Sequence, residues 1–131
     1  MLEQLWLRPT GHGTYEVCCL PFRAYGLALG DQVTLDAEGR KVAAVVSRSG
    51  NRVFRVFVPT SVPDGKFSLV RSRIVSAIDA CGATAEWSGD RHVAIDVPAE
   101  GSVGDVWAVI REFEDVLFWE WADVEEFRVE S

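Results

Sequence analysis

The sequence lacks the features that mark secreted, disulfide-rich or membrane-spanning proteins. Its three cysteines are an odd number, and the neighbours Cys18 and Cys19 would point to opposite faces of a strand. This pattern argues against a disulfide framework and favours reduced thiols in the cytoplasm. Residues 1–9 have neither a basic start nor a long apolar run. The pattern therefore predicts no signal peptide, no transmembrane helix and no membrane contact.

Recognisable catalytic and metal-binding motifs are also missing. The two histidines, His12 and His92, do not stand at metal-ligand spacing from a cysteine or carboxylate, so we expect neither a metal nor a cofactor. Gly26 and Gly30 match neither a P-loop nor the GxGxxG nucleotide fingerprint. For the segment from Gly26 to Asp31, a turn that sets the next strand and a backbone cradle for an anion both remain open.

What the chain does have is a strongly uneven charge. The net charge is −7, but residues 40–73 carry +7 and residues 111–131 carry −6. The two regions either neutralise each other and lie in solvent, or the acidic end steers a basic partner. A pI near 4.8 argues against nucleic-acid binding, which needs a strong basic stripe.

The hydrophobic pattern predicts an α+β protein in two lobes, residues 1–50 and 51–131, packed as one compact cooperative unit. The first lobe reads as all-β, a small curled sheet or barrel, with a hairpin of residues 2–8 and 14–20 around the turn at Gly11 and Gly13. Further strands follow Asp31 and Gly39, and the turn at residues 49–51 precedes the strand at 52–58.

The second lobe changes from period two to period 3.6. A helix starts at Pro63 and Asp64 and ends at Gly82; a hairpin of residues 84–87 and 91–97 follows. Ser102 and Asp105 resemble a capping box for a second helix, and residues 116–124 read as a closing strand. The order strand, helix, strand, strand, helix, strand predicts a ferredoxin-like βαββαβ half with helices on one sheet face. The other face would be covered by the first lobe or by a second copy.

Three segments together resemble a known family. They are residues 20–33 (LPFRAYGLALGDQV), the turn at residues 49–51 (SGN) and the closing residues 118–122 (FWEWA). This pattern is similar to the bacterial domain-of-unknown-function family numbered 4265, over nearly the whole chain. The resemblance implies a compact bacterial, cytoplasmic α+β protein, and it implies no activity.

Three groups of residues are candidate sites. Hydroxyl and guanidinium groups around the turn at residues 49–51 form a possible anion site, namely Arg48, Ser49, Arg52 and Arg55. Aromatics interleaved with acids near the C-terminus form a possible partner surface, namely Trp119, Glu120, Trp121 and Asp123. His92 and Asp96, four apart on one strand, form a polar pair on one sheet face.

We expect a non-enzymatic binding protein that contacts another protein, with an inhibitor or immunity-type protein against a basic partner as the concrete form. The alternative is a sensing or regulatory domain for an anionic metabolite. A third alternative is an enzyme that uses His92 and Asp96 as acid and base. Because two-fold association is the commonest oligomer, a homodimer is also expected.

Overall fold

Two antiparallel sheets of four strands each and two helices make up the fold. The computed structural model describes residues 3–122, and it confirms the predicted α+β class. The elements follow in chain order as β1 (Leu7–Pro9), β2 (Tyr15–Val17), β3 (Gln32–Leu35), β4 (Val42–Ser47), β5 (Arg52–Phe57), α1 (Asp64–Cys81), β6 (Thr84–Ser88), β7 (His92–Val97), α2 (Gly104–Glu112) and β8 (Phe118–Trp121).

The N-terminal sheet is a meander in which β1, β2, β3 and β4 pair in sequence order. Gly11 and Gly13 form the predicted turn between β1 and β2, both with positive φ angles. The two strands are shorter than predicted, because the chain leaves the sheet after Val17 and crosses toward the second sheet. Within residues 3–122, β1 and β4 pair with one strand each, so this sheet is open and does not close into a barrel.

The C-terminal sheet has the strand order β6, β7, β5, β8, which is the order of a ferredoxin-like unit and confirms that prediction. Helix α1 ends at Gly82, whose φ of 65° is the left-handed conformation expected there. The predicted capping box is wrong. The Ser102 hydroxyl accepts a hydrogen bond from the Gly104 amide at 3.0 Å, only two residues away, so α2 begins without a side-chain cap.

The main core lies between this sheet and the two helices. Alternate residues of the central strands β5 and β7 point to the helices and are buried, namely Phe54, Val56, Val93, Ile95 and Val97. The helices contribute one apolar stripe each, including Phe67, Val70, Ile74, Val106 and Ile110. No helix within residues 3–122 is long and apolar enough to cross a membrane.

Residues 18–31, called here the cover loop, lie across the opposite face of the C-terminal sheet. Leu20 and Ala28 of this loop pack with Val53 and Ala94 in a second small core. The Gly26 amide donates to the Ala122 carbonyl at 2.9 Å, which ties the loop to the end of β8. The N-terminal lobe therefore covers part of the open face, as one of the two predicted arrangements requires. The cross-strand row at Phe57, His92 and Phe118 lies beyond this small core.

Candidate functional site

The glycine-rich signature locks the cover loop to the turn before β5. Asp31 is buried; its Oδ2 accepts a hydrogen bond from the Ala28 amide at 3.0 Å, and its Oδ1 accepts one from the Ser49 amide at 2.8 Å. Gly30 has a φ of +86°, and a Cβ there would lie 3.0 Å from the Ser49 Cβ. These contacts give the segment from Gly26 to Asp31 the structural role of a turn and a lock.

A carboxylate of the chain itself holds the beginning of the cover loop. The Glu3 carboxylate accepts three hydrogen bonds from successive backbone amides, those of Phe22 at 2.6 Å, Arg23 at 2.9 Å and Ala24 at 2.9 Å. An anion-binding backbone cradle is thus present, but four residues earlier than the segment considered from the sequence, and Glu3 fills it. This contact fixes the loop beside β5.

Under the cover loop lies a buried arginine. Arg55 is only 1% exposed, and its Nη1 donates to the carbonyls of Pro21 at 3.3 Å and Ala24 at 3.0 Å. Its Nη2 lies 2.8 Å from Oε1 of Glu120, the residue opposite it on β8. Tyr25 places its ring 4.7 Å from the guanidinium carbon and donates its hydroxyl to Oε2 of Glu120 at 2.8 Å. The three side chains form one charged and hydrogen-bonded unit, the Arg55–Glu120–Tyr25 cluster.

The hydrogen bonding of Arg55 is incomplete. Within the part of the chain that the structure describes, neither Nε nor Nη2 has a partner in hydrogen-bond geometry, although Nη2 is in ion-pair contact with Glu120. A buried donor without an acceptor costs free energy, about 1–3 kcal/mol and more for a charged group. The guanidinium therefore has room in its hydrogen bonding for a further acceptor.

A cleft opens next to this cluster, with a volume of about 400 Å³. It is lined by Arg55, Phe57, His92, Phe118, Trp119 and Glu120. Two of these, Phe118 at 66% and Phe57 at 40% exposure, are aromatic side chains on the same sheet face as Arg55, and they are called here the aromatic rim. The Trp119 side chain is on the helix face of the sheet, where its ring lies 5.8 Å from that of Phe54 and 4.9 Å from that of Trp107, so Trp119 borders the cleft only at the sheet edge. The cleft thus combines an apolar rim with a few polar groups, which is the usual composition of binding sites.

His92 forms one wall of the cleft between two aromatic rings. Its ring centroid lies 5.2 Å from that of Phe22 and 5.8 Å from that of Phe57, both in edge-on geometry. Burial lowers the pKa of His92, and the positive charge of Arg55 lowers it further, against smaller opposing effects of Glu120 and Glu3. The imidazole is therefore mainly uncharged at neutral pH.

The structure does not bring the polar pair His92 and Asp96 together in the cleft. Both lie on the same face of β7, but Ala94 separates them, and Leu20 of the cover loop packs on Ala94. Asp96 is buried away from the cleft lining, its Oδ1 has no hydrogen-bond partner within residues 3–122, and burial raises its pKa. This placement gives the two side chains no common position for acid and base catalysis.

The four residues of the predicted anion site do not form one site either. Arg48 donates to the Gly26 carbonyl at 2.7 Å and lies 3.7 Å from Asp31, so both Arg48 and Ser49 belong to the lock of the cover loop. Arg52 and Arg55 are three residues apart on one strand and point to opposite faces. Arg52 lies 4.0 Å from the ring of Trp121 on the helix side, and only Arg55 lines the cleft.

The predicted partner surface is partly present in the cleft. Glu120 lines it. Trp119 borders it at the sheet edge, but the side chains of Trp119 and Trp121 lie on the helix face, with their rings 5.8 Å and 4.9 Å from that of Phe54. Asp123 lies outside the described residues. Sequence reasoning missed Phe57 and Phe118 as lining residues. The signal was available in the alternation that places Phe57 beside Arg55 and Phe118 beside Glu120, but it becomes visible only once the pairing of β5 with β8 is known.

No metal centre is evident in the described part of the chain. Within residues 3–122, no group of three or more His, Cys, Asp or Glu side chains is placed to hold a metal ion. Cys18 is exposed, Cys19 is buried and Cys81 is half-buried, and all three are free thiols. Burial raises the pKa of Cys19, so its thiol is protonated at neutral pH.

Comparisons with known proteins show the family and a similar fold, and they assign no activity. The model of the family described as "Domain of unknown function (DUF4265)" matches residues 3–121. Among solved structures, the chain is similar to a hypothetical protein from Neisseria gonorrhoeae, with a TM-score of 0.70 and 19% identity over 90% of this chain and 80% of that one. At this identity the likeness concerns the fold alone. No curated protein matches the chain.

Proposed function

Because the chain belongs to the DUF4265 family of domains of unknown function, we propose its role from the site alone: it is a non-enzymatic binding protein that contacts a partner protein at the cleft. The supporting observation is the aromatic rim, in which the cross-strand neighbours Phe57 and Phe118 are exposed beside the charged residues Arg55 and Glu120. Exposed aromatics around a pocket resemble the hot spots that dominate protein interfaces. The ring of Phe57 packs edge-on against that of His92 at 5.8 Å, so this rim side chain is held in place before a partner arrives.

We expect the partner to be basic. The chain has a net charge of −7 and the acidic stretch of residues 111–131, which would attract a positively charged protein before contact. At the cleft, the Glu120 side chain is 39% exposed and stands beside the rings of the rim. A Lys or Arg of the partner would there meet a carboxylate and aromatic faces together. This chemistry suits an inhibitor or immunity-type protein that covers a basic surface.

The test is affinity capture from the native host with matched variants. Phe118→Ala removes the most exposed rim residue, and Leu69→Ala removes an exposed apolar residue of α1, 50% exposed, as the control. We expect a stoichiometric basic protein with the wild type and with Leu69→Ala, and at least tenfold less of it with Phe118→Ala. A partner retained equally by Phe118→Ala would show that binding takes place elsewhere.

Two further properties belong to this proposal. We propose a bacterial, cytoplasmic protein, which the three free thiols support because exposed thiols persist in reducing compartments. We also propose that a homodimer forms where no partner is present, since β8 is an edge strand of its sheet within the described residues. Sedimentation of the purified protein checks the second point, with a dimer expected and a strict monomer contradicting it.

An anionic small molecule is the second candidate occupant, in line with a sensing or regulatory role. One observation favours it, namely the two nitrogen atoms of buried Arg55 without hydrogen-bond acceptors.

A further inference from the structure

The geometry points to a small carboxylic acid with a flat apolar body as a ligand of the cleft, with its carboxylate on the Nε and Nη2 atoms of Arg55. The inference rests on the proposed function in one respect only, that the cleft is the binding site. It is independent of whether a protein partner also uses the aromatic rim.

The hydrogen bonds of Arg55 define the chemistry of the ligand. A guanidinium has five N–H groups, and the two on Nη1 face the carbonyls of Pro21 and Ala24. The remaining edge, formed by Nε and Nη2, lacks hydrogen-bond acceptors in the described structure. This edge presents two parallel donors, and a carboxylate supplies two acceptors at the matching spacing.

Glu120 marks the position that a ligand carboxylate would take. Its Oε1 lies 2.8 Å from Nη2 but outside hydrogen-bond geometry, and its Oε2 is engaged by the Tyr25 hydroxyl. Glu120 therefore neutralises Arg55 without satisfying its donors. Nε and Nη2 are buried, so an incoming acid reaches them only after Glu120 turns away, and the 39% exposure of the Glu120 side chain leaves it a path toward solvent.

The rest of the cleft fits the apolar part of such a ligand. Its volume of about 400 Å³ lies in the range of small-molecule sites, and Phe57 and Phe118 offer ring surfaces. A single negative charge suits the cleft better than a doubly charged phosphate, because within residues 3–122 Arg55 is its only cationic lining residue apart from the mainly uncharged His92. These features select an aromatic carboxylic acid.

Three probes of similar size test the inference: 3-phenylpropanoate, its neutral amide 3-phenylpropanamide and the cation 3-phenylpropylamine. Binding is followed through the imidazole C–H signals of His92, which lines the cleft, assigned with His92→Gln. A fragment of this size is expected to bind with a Kd on the order of 1 mM. From the His92 signals we expect the acid to bind at least tenfold more tightly than the amide or the amine.

Two variants separate Arg55 from general hydrophobic binding. Arg55→Lys keeps the charge but loses the two-donor edge, and it should weaken acid binding at least tenfold, with circular dichroism as the check on folding. Glu120→Gln removes the resident carboxylate at a partly exposed position, and it should tighten acid binding several-fold. The second variant keeps the test decisive if Arg55→Lys fails to fold.

Each other outcome overturns the inference in a recognisable way. Equal binding of acid and amide, or weaker acid binding by Glu120→Gln, would show that Arg55 does not receive the carboxylate. Preference for the amine would overturn the inference while agreeing with a basic partner. If no probe binds but partner capture still depends on Phe118, the inference fails and the proposed function stands. If the acid binds and partner capture is unaffected by Phe118→Ala, the inference stands and the proposed function fails.

Discussion

At the scale of single residues, the Arg55–Glu120–Tyr25 cluster concentrates the unusual chemistry of the protein. A guanidinium that is 1% exposed would be costly without partners, and two carbonyls, one carboxylate and one aromatic ring surround it. These contacts compensate the buried charge. Nε and Nη2 still lack hydrogen-bond acceptors within the described residues, so the hydrogen-bonding capacity of the guanidinium is not filled.

The hydroxyl of Tyr25 is expected to stabilise this cluster measurably. Tyr25→Phe keeps the ring over Arg55 but removes the hydrogen bond to Glu120, and should lower the free energy of unfolding by about 1 kcal/mol in urea titration. Tyr15→Phe, on β2 in the other sheet, is the control, and we expect it to change little. Equal effects of the two substitutions would contradict the role assigned to the Tyr25 hydroxyl.

Asp96 makes the stability of the fold depend on pH. Burial raises its folded pKa above that of the unfolded chain, so protonation stabilises the folded state below the unfolded pKa, and this stabilisation is lost as pH rises through the folded value. Asp96→Asn should therefore raise the free energy of unfolding by roughly 1 kcal/mol at pH 7 and converge with the wild type near pH 3. Asp90→Asn, in an exposed turn, is the control. If Asp96→Asn leaves the free energy of unfolding at pH 7 unchanged or lowers it, other groups compensate the charge of the buried carboxylate.

At the scale of elements, the cover loop connects the two sheets and brings backbone carbonyls to Arg55 beside the cleft. It is held by Glu3 at its start, by Asp31 and Ser49 at its end and by the Gly26 to Ala122 bond in its middle. Its carbonyls reach Arg55 because these three contacts fix its path. The loop therefore positions the cleft, although no residue of the loop is among those that line it.

Gly30 and Gly39 provide a matched pair for testing this lock. Both have positive φ angles, +86° and +70°, so alanine pays a backbone cost of about 1 kcal/mol at either position. At Gly30 the new Cβ would also lie 3.0 Å from the Ser49 Cβ, whereas at Gly39 nothing lies within 4 Å. Gly30→Ala should thus lower the melting temperature clearly more than Gly39→Ala. Equal losses of melting temperature would show that Ser49 moves aside for the new Cβ at little energetic cost.

The sequence allows most elements and the strand order of the second sheet to be predicted, but not the register of the strands or the path of the cover loop. Helix α1 has a clear apolar stripe and a glycine stop, and β7 has Val93, Ile95 and Val97 at alternate positions, so both are visible locally. The cover loop has no periodicity, and its path depends on contacts with Glu3 and Ala122, which are distant along the chain. Arg55 shows the same limit, since its role follows from the strand opposite it and not from its neighbours.

At the scale of the whole molecule, the two sheets share contacts that should make them unfold together. The cover loop leaves the first sheet at Val17, packs on Val53 and Ala94 of the second and returns at Gln32. We expect tryptophan fluorescence and far-ultraviolet circular dichroism to give coincident urea transitions. Two separated transitions would indicate that the sheets are independent domains.

The central claim is that the cleft is the binding site, and the imidazole signals of the two histidines test it most directly. The measurement is a ¹³C–¹H spectrum of histidine-labelled protein before and after addition of native-host extract. His92, which lines the cleft, and His12, exposed in the turn between β1 and β2, serve as probe and internal control. The account predicts that the His92 signal shifts or disappears while the His12 signal stays. A change at His12 with His92 unaffected, or no change at either, would contradict it.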